Sequence, residues 1–274
     1  MLSHTNFINQ AHDLASKNLG KTFPNPTVGC VIAKNNKIIS KGVTSSTGRP
    51  HAEEIALQKA GKRAKGATMY VTLEPCFHSS QNGSCTDQIL RSGIKKIFIS
   101  CVDQDPRTKN KSIKKLKRNK IKVVTGLEKN KTLITNKFFF KSLVKKKPYT
   151  KVKMAISNDE KIAWENYKSK WISNSKSRKY VHILRSKSQA VLTTSKTIIK
   201  DNPRFTVRNK NKILKSLNVI IVDKNLKIPL NCRILNNLHE KRIIIFTSKN
   251  NSKSNKLLQL GCEIIEMKKE NNKL

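Results

Sequence analysis

Pro50-His51-Ala52-Glu53, answered downstream by Glu74-Pro75-Cys76 and Cys85, is the stretch on which the first half of the chain turns. One imidazole and two thiols are soft ligands of the kind that hold zinc in a tetrahedron, and a catalytic zinc keeps one position open for water. His51, Cys76 and Cys85 read as three such ligands. A purely structural zinc needs a fourth protein ligand, and His78 is the only near candidate. Glu53 stands two residues beyond His51. It is too close along the chain to be an obvious fourth ligand, but it is well placed to carry a proton to and from an activated water.

The flanks give these residues a scaffold. Ala52, Ile55, Ala56 and Ala60 carry a helical apolar stripe, so His51 and Glu53 open a helix. Residues 67–73 form an apolar strand that delivers the chain to Cys76, and Cys85 opens a second helix through Ile89 and Leu90 to Ser92-Gly93. Further out, residues 6–19 read as an amphipathic helix with Phe7, Ile8, Ala11, Leu14 and Ala15 on one side. Phe23-Pro24-Asn25-Pro26 breaks that helix. Residues 28–33 and 37–41 are strands about an Asn35-Asn36 turn, and 96–101 and 121–125 are strands on either side of a basic helix at 112–119. Residues 127–144 read as one long packing helix, ended by Lys145-Lys146-Lys147-Pro148. Strands alternating with helices imply a layered α/β domain, with the ligands beyond the strand ends.

At 274 residues the chain has room for two domains. Six cysteines without even spacing, and a polar N-terminal segment that is no secretory signal, point to a reducing, cytoplasmic setting. No stretch approaches the roughly 20 apolar residues of a membrane span. The formal charge of +40 invites a nucleic-acid reading. However, 11 of the 57 basic residues are Arg, leaving 57 − 11 = 46 Lys, spread over the whole chain. The densest runs, 109–122 and 141–147, read as solvated surface, and 5% aromatic content is thin for base stacking. A compositional bias accounts for the charge.

His-x-Glu, then Pro-Cys, then a second Cys is the arrangement of the zinc deaminases. Residues 1–146 resemble, more particularly, the deaminase domain of the bifunctional riboflavin-biosynthesis deaminase/reductase family. The resemblance rests on Pro24-Asn25-Pro26-Thr27-Val28-Gly29-Cys30, on His51-Ala52-Glu53 and on Tyr70-Val71-Thr72-Leu73-Glu74-Pro75-Cys76. Eight residues separate Cys76 from Cys85, whereas the nucleic-acid base deaminases usually place two between their cysteines. The resemblance implies a cytidine-deaminase-like three-layer α/β/α fold, zinc on His51, Cys76 and Cys85, Glu53 as the catalytic proton carrier, and Asn25 against the pyrimidine. There are departures. The family's Gly-Lys/Arg-Thr-Pro-Pro run is here Ser80-Gln81-Asn82-Gly83-Ser84, so Gln81 stands where a cation reaches the substrate phosphate. The Asp-Pro-Asn-Pro loop appears as Asp103-Gln104-Asp105-Pro106, and Thr44 replaces a frequent histidine.

Residues 147–274 resemble the family's reductase domain, which implies a partial dihydrofolate-reductase-like α/β fold. The matching runs are Lys153-Met154-Ala155-Ile156-Ser157, Ser169-Lys170-Trp171-Ile172-Ser173, His182-Ile183-Leu184-Arg185 and Asp201-Asn202-Pro203-Arg204-Phe205-Thr206-Val207-Arg208. By that resemblance Ala155, Trp171, Thr197 and Asp201 contact NADPH. Ser169, Arg185, Phe205 and Arg208 contact the sugar phosphate, where two arginines could fork onto a phosphate. Residues 149–156, 218–223, 241–247 and 263–266 read as strands and 252–260 as a helix. No Gly-x-Gly-x-x-Gly follows a strand, which argues against a Rossmann domain. The family's reductase runs on to a Gly-rich turn that meets the cofactor phosphates, so a shortened reductase with weakened NADPH binding is expected.

The implied chemistry is hydrolytic deamination of a diaminopyrimidinone ribosylamino 5′-phosphate, then NADPH-dependent reduction of the ribosyl chain to ribityl, by a cytoplasmic homo-oligomer. The alternatives are a deaminase acting on a tRNA base and a basic nucleic-acid-binding module with a structural zinc. Water rather than protein at the fourth zinc position would separate the last from the enzymes.

Overall fold

The computed structural model describes residues 3–78, 83–165, 171–209 and 212–267. They belong to two compact units, Met1–Val152 and Lys153–Leu274, each taken here by itself.

The first unit is built on strands β1 (Gly29–Lys34), β2 (Lys37–Val43), β3 (Thr68–Leu73), β4 (Lys96–Cys101) and β5 (Lys122–Thr125). Their order is β2-β1-β3-β4-β5. β1 runs antiparallel to both neighbours, and β3, β4 and β5 run parallel. Successive side chains along a strand face opposite ways, so each strand feeds two layers. On one face Val31, Ala33, Tyr70 and Phe98 pack with Phe7, Ile8 and Ala11 of helix α1 (His4–Lys17). On the other, Cys30, Ile32, Met69, Val71, Ile97 and Ile99 pack with helices α2 (Ala52–Ala60), α3 (Cys85–Arg91) and α4 (Lys111–Arg118). Burial on both faces is why β3 and β4 read as nearly continuous apolar runs. The result is the three-layer α/β/α arrangement.

Register fixes where a site can form. Gly29 pairs with Val43 and Cys30 with Val71, so the start of β1 lies beside the ends of β2 and β3, and the parallel β4 ends there too. Helix α2 is pulled tightly onto β2 at this edge. A Cβ on Gly42 would sit 2.0 Å from the Ala52 carbonyl oxygen, so only glycine permits the approach.

The expected long helix at 127–144 is instead two helices, α5 (Lys129–Thr135) and α6 (Lys137–Lys145). The break falls at Asn136, which is buried. Its Oδ1 accepts from Thr27 N at 2.9 Å, and its Nδ2 donates to Thr27 O at 3.0 Å. Tying both edges of that amide to a strand-leading segment fixes the backbone at φ −101°, ψ 17°, outside helical geometry.

The second unit has helix α7 (Ser175–Ser186), strand β6 (Ala190–Thr194), helix α8 (Ser195–Asp201), and strands β7 (Thr206–Asn209), β8 (Lys212–Ser216) and β9 (Asn218–Val222). Strand β10 (Ile243–Thr247), helix α9 (Ser252–Gln259) and strand β11 (Glu263–Glu266) follow. β11-β10-β9-β6 form an all-parallel sheet, and β7-β8 form a separate antiparallel pair. Val219, Ile221, Ile243, Ile245 and Leu257 make its core. The strand expected at 149–156 is not formed. Its alternating pattern has period two, but Val152 is 85% exposed and Met154 67%, and no neighbouring strand pairs with it among the described residues. A strand pattern without a partner edge stays irregular.

One buried group gives the first unit a pH dependence. His12 of α1 lies with Nε2 3.2 Å from Ser100 Oγ, and its Nδ1 is buried without a hydrogen-bond partner. Burial, reinforced by nearby Lys131, pushes its pKa from 6.5 down to about 4. The unfolded chain therefore takes up a proton below about pH 6.5 that the folded chain refuses, and stability falls as pH drops towards 4. Thermal denaturation followed by circular dichroism should show Tm falling between about pH 7 and 5 more steeply in the wild type than in His12→Gln, which cannot titrate. Equal slopes would remove His12 as the source.

Candidate metal centre and active site

The centre forms at the sheet edge where β2, β3 and β4 end. After β2 the chain passes a cis Arg49-Pro50 peptide and reaches His51, the N-cap of α2, in extended conformation at φ −73°, ψ 164°. After β3 it delivers Cys76 on an irregular loop. Ser84 then caps α3, its Oγ accepting from Asp87 N at 3.1 Å, and Cys85 is the first helical residue. Cys85 N donates to Cys76 Sγ at 3.3 Å, and His51 Nδ1 lies 3.3 Å from Cys85 Sγ. Ligand atoms of His51, Cys76 and Cys85 all lie within 4.8 Å of one another. An imidazole and two thiols so gathered fit a zinc ion, and among the described residues no fourth His, Cys, Asp or Glu joins them. His78 does not join this group; its Nδ1 is buried without a partner.

The protonation pattern follows from the crowding. The Cys85 thiol donates to Cys76 and, with His51, holds the Cys76 thiol down to about 4; the same shared proton pushes Cys85 up. Glu53, the second residue of α2, is 3% exposed. Burial raises its carboxyl to about 7, against the opposing pull of His51. A carboxyl with that pKa can both take and return a proton near neutral pH. Asn25 lies at the same edge: its Nδ2 donates to Gly48 O at 2.8 Å and sits 3.2 Å from His51 Nε2. Thr44 is buried, its Oγ1 accepting from Val28 N at 3.0 Å at the start of β1. Gln81 lies outside the described residues.

Sequence reasoning gave Glu74 no separate role. It is buried, and its carboxylate accepts from Asn110 N (3.0 Å), Asp103 N (3.2 Å), Ser112 Oγ (2.9 Å) and Ile113 N (3.4 Å). One side chain thus fastens the loop after β4 and the start of α4 to the segment that carries Cys76. Burial raises the neighbouring Asp103 to about 6. The only local signal for this clasp is a Glu before Pro-Cys; its donors are at least 29 residues away in sequence.

In the second unit Arg185, Phe205 and Arg208 come together. The Arg185 guanidinium lies 5.7 Å from the Phe205 ring centroid, and Arg208 N donates to His182 Nδ1 at 3.1 Å. Burial and then the Arg208 charge lower the pKa of Arg185. Phe205 has φ +48°, a conformation uncommon for an aromatic residue. His182, one turn before Arg185, is a further member of this cluster that the motif reading did not single out. Thr197 and Asp201 are one turn apart on α8. Trp171 is 72% exposed with the Arg178 guanidinium 4.3 Å from its ring, and Ala155 is half-buried on an irregular segment. Ser169 lies outside the described residues. A cavity of about 370 Å³ opens where the parallel β6 and β9 end, lined by Ser195, Lys196, Ile199, Lys200, Asp223, Lys224, Asn225 and Lys227. It adjoins Thr197 and Asp201 in sequence without including them.

Fold and site together define a zinc-binding deaminase domain joined to a second α/β domain. Residues 1–101 match the cytidine and deoxycytidylate deaminase zinc-binding region, and residues 148–271 match the RibD C-terminal domain. The chain is 40% identical over 263 residues to the riboflavin biosynthesis protein RibD of Aquifex aeolicus, covering 96% of this chain and 73% of that protein. The solved structure of Acinetobacter baumannii RibD superposes with a TM-score of 0.85 at 33% identity, over 97% of this chain and 74% of that one. A Thermotoga maritima structure described as a diaminohydroxyphosphoribosylaminopyrimidine deaminase/5-amino-6-(5-phosphoribosylamino)uracil reductase gives 0.80 at 35% identity, over 90% and 70%. The chain belongs to the RibD family: it is a riboflavin-biosynthesis enzyme with a zinc-dependent deaminase domain and an NADPH-dependent reductase domain. Among the described residues no helix is long and apolar enough to cross a membrane.

The clasp can be tested directly. Glu74→Ala strands four donors, each hydrogen bond to a charged acceptor being worth about 1.5–3 kcal/mol. Chemical denaturation should show a loss of at least about 3 kcal/mol in the first unit. A loss below about 1 kcal/mol would show that Glu74 does not hold the loop.

Proposed function

We propose that residues 1–146 deaminate a diaminopyrimidinone ribosylamino 5′-phosphate and that residues 147–274 reduce its ribosyl chain with NADPH. The observation that carries the first half is the gathering of His51, Cys76 and Cys85 within 4.8 Å beside the buried Glu53. His51 Nδ1 and the two thiolates would hold a zinc ion, which when bound would supply the Lewis acidity that makes water a nucleophile near neutral pH. Glu53 accepts the proton that the attacking water gives up. It passes that proton to a ring nitrogen as the water oxygen bonds to the amino-bearing carbon. A second transfer through Glu53 lets the amine leave as ammonia. Asn25, held by Gly48 O, presents its amide to the pyrimidine.

In the second half Arg185 and Arg208 receive the 5′-phosphate, with Phe205 beside Arg185; Ser169, which the family resemblance also assigns to the sugar phosphate, lies outside the described residues. Among the described residues neither arginine forms an ion pair, and their charges act on each other, so an anion is the counter-charge the pair calls for. Ala155, Trp171, Thr197 and Asp201 take the cofactor. The six free, buried cysteines support a reducing, cytoplasmic location, and the exposed Ile134 and Val144 of α5 and α6 offer apolar surface to a homo-oligomer. Nucleic acid is not its substrate on this reading, because the excess lysine is spread over the chain rather than gathered in a groove. Incubating the purified chain with the diaminopyrimidine nucleotide, following ammonia release and NADPH oxidation separately, tests both halves. Absence of ammonia release from zinc-replete protein would overturn the first.

Two sets of variants follow. Glu53→Gln should keep its zinc and lose deamination by on the order of 10²–10⁴-fold; near-normal turnover would sink the proton-carrier role. Cys76→Ser or Cys85→Ser should lose zinc and destabilise the unit. Cys30→Ser, Cys101→Ser, Cys232→Ser and Cys262→Ser should retain it. Metal analysis decides, and zinc loss in any of the latter four would mean a different ligand set.

A further inference from the structure

The Glu54 carboxylate is spent on three partners around the metal centre, and nothing in the reaction calls for it. Its Oε2 accepts from His51 N at 2.6 Å and lies 3.5 Å from the Arg49 guanidinium. Its Oε1 accepts from Gln88 Nε2 at 3.1 Å. The side chain is 11% exposed, so these contacts are shielded from competing water.

The positions matter more than the number of contacts. Helix α2 is capped by the ligand His51, and α3 begins with the ligand Cys85. Glu54 stands three residues after His51 and Gln88 three residues after Cys85, and residues three apart on a helix share a face. The Glu54–Gln88 bond therefore joins the two helices one turn below the place where His51 Nδ1 and Cys85 Sγ approach to 3.3 Å. An ordinary helix cap would need only the bond to His51 N. The second oxygen, turned across to α3, makes the cap a brace between the two ligand-bearing helices.

We propose that Glu54 is a positioning residue for the metal centre: bonded to the His51 amide and to Gln88, it sets the separation of His51 and Cys85 before metal arrives. The inference rests on the reading of His51, Cys76 and Cys85 as the zinc ligands. Groups that orient ligands without touching the metal commonly govern its affinity by about 10–100-fold.

The test measures zinc itself. The full zinc-loaded chain is mixed with a chelating dye at neutral pH, and zinc release is timed for the wild type, Glu54→Ala, Glu54→Gln, Gln88→Met and the Glu54→Ala/Gln88→Met double variant. Glu54→Ala should release zinc roughly 10–100-fold faster. Glu54→Gln keeps one acceptor oxygen and should fall in between. Gln88→Met has nearly the same shape without the amide and removes only the bond to Glu54, so it serves as the second variant should Glu54→Ala fail to fold; it should also release zinc faster. The double variant should be no faster than Glu54→Ala alone, because the two residues act through one bond. A mere stability role would lower the Tm of the metal-free variants and leave the rate of zinc release unchanged. Release from Gln88→Met and Glu54→Ala within about twofold of the wild type, or a double variant equal to the product of the singles, overturns the brace. A wild-type chain that holds no zinc overturns the metal-centre reading instead, and the brace with it.

Discussion

Three ligand atoms from three separate segments must meet within one coordination sphere, and most of the first unit can be understood as the means of bringing them there. Two of them sit at helix starts, His51 on α2 and Cys85 on α3, and the third follows a strand, Cys76 after β3. Their meeting requires that β2, β3 and β4 end at one edge, which the pairing of β1 against both β2 and β3 enforces. It also requires that α2 lie closer to the sheet than a side chain on Gly42 would allow. The consequences for protonation come from the same convergence. Packing His51, Glu53 and two thiols into a buried edge raises the carboxyl to about 7 and makes the two thiols share a proton. Geometry and reactivity therefore share a cause, which is the exclusion of water from a small space crowded with titratable groups.

That crowding has to be held open against collapse, and buried polar side chains hold it. Glu74 collects four donors from the loop after β4 and the start of α4. Asn136 pairs with both backbone groups of Thr27, just before β1. Thr132 donates to Thr72 O at 2.7 Å, so α5 is also tied to β3. A buried carboxylate or amide is costly unless its hydrogen bonds are made, which gives each of these residues a specifying role that an apolar side chain of the same size could not have. They determine which loop goes where; the apolar layers determine only that the helices cover the sheet.

This division explains what could be read from the chain and what could not. The pattern of His51, Glu53, Cys76 and Cys85 and the alternation of strands and helices depend on local spacing, and the structure gathers His51, Cys76 and Cys85 at the ends of such alternating elements. The break at Asn136 depends on a partner 109 residues away, so an apolar pattern running through 127–144 gives no sign of it. Residues 149–156 fail in the opposite sense: the local pattern of a strand is present and the partner edge is not. Glu74 and the Glu54–Gln88 bond are invisible for the same reason as Asn136. A carboxylate in a helix or at a strand end is ordinary, and only the distant donors give it a task. His182 belongs to the run His182-Ile183-Leu184-Arg185, but its link to Arg208 spans 26 residues and belongs to tertiary structure.

The second unit shows the same logic with the sign of charge reversed. In the first, acidic groups are buried together; in the second, Arg185 and Arg208 are brought close enough to perturb each other, and among the described residues neither has an ion-pair partner. Holding like charges together is unfavourable unless something is gained elsewhere, and the surroundings are arranged to keep them so. Phe205 adopts an uncommon positive φ that sets its ring beside the Arg185 guanidinium, and His182, neutral by burial and by the two nearby arginines, accepts the Arg208 amide rather than adding a third charge. A chain with an excess of 40 positive charges has no shortage of cations on its surface, and most of its lysines need no explanation beyond solvation. What distinguishes Arg185 is that its guanidinium is half-buried beside the Phe205 ring, with Arg208 anchored nearby through its backbone amide. A half-buried guanidinium already packed on a ring can meet a phosphate with less loss of side-chain freedom than a fully exposed lysine, which must be ordered first.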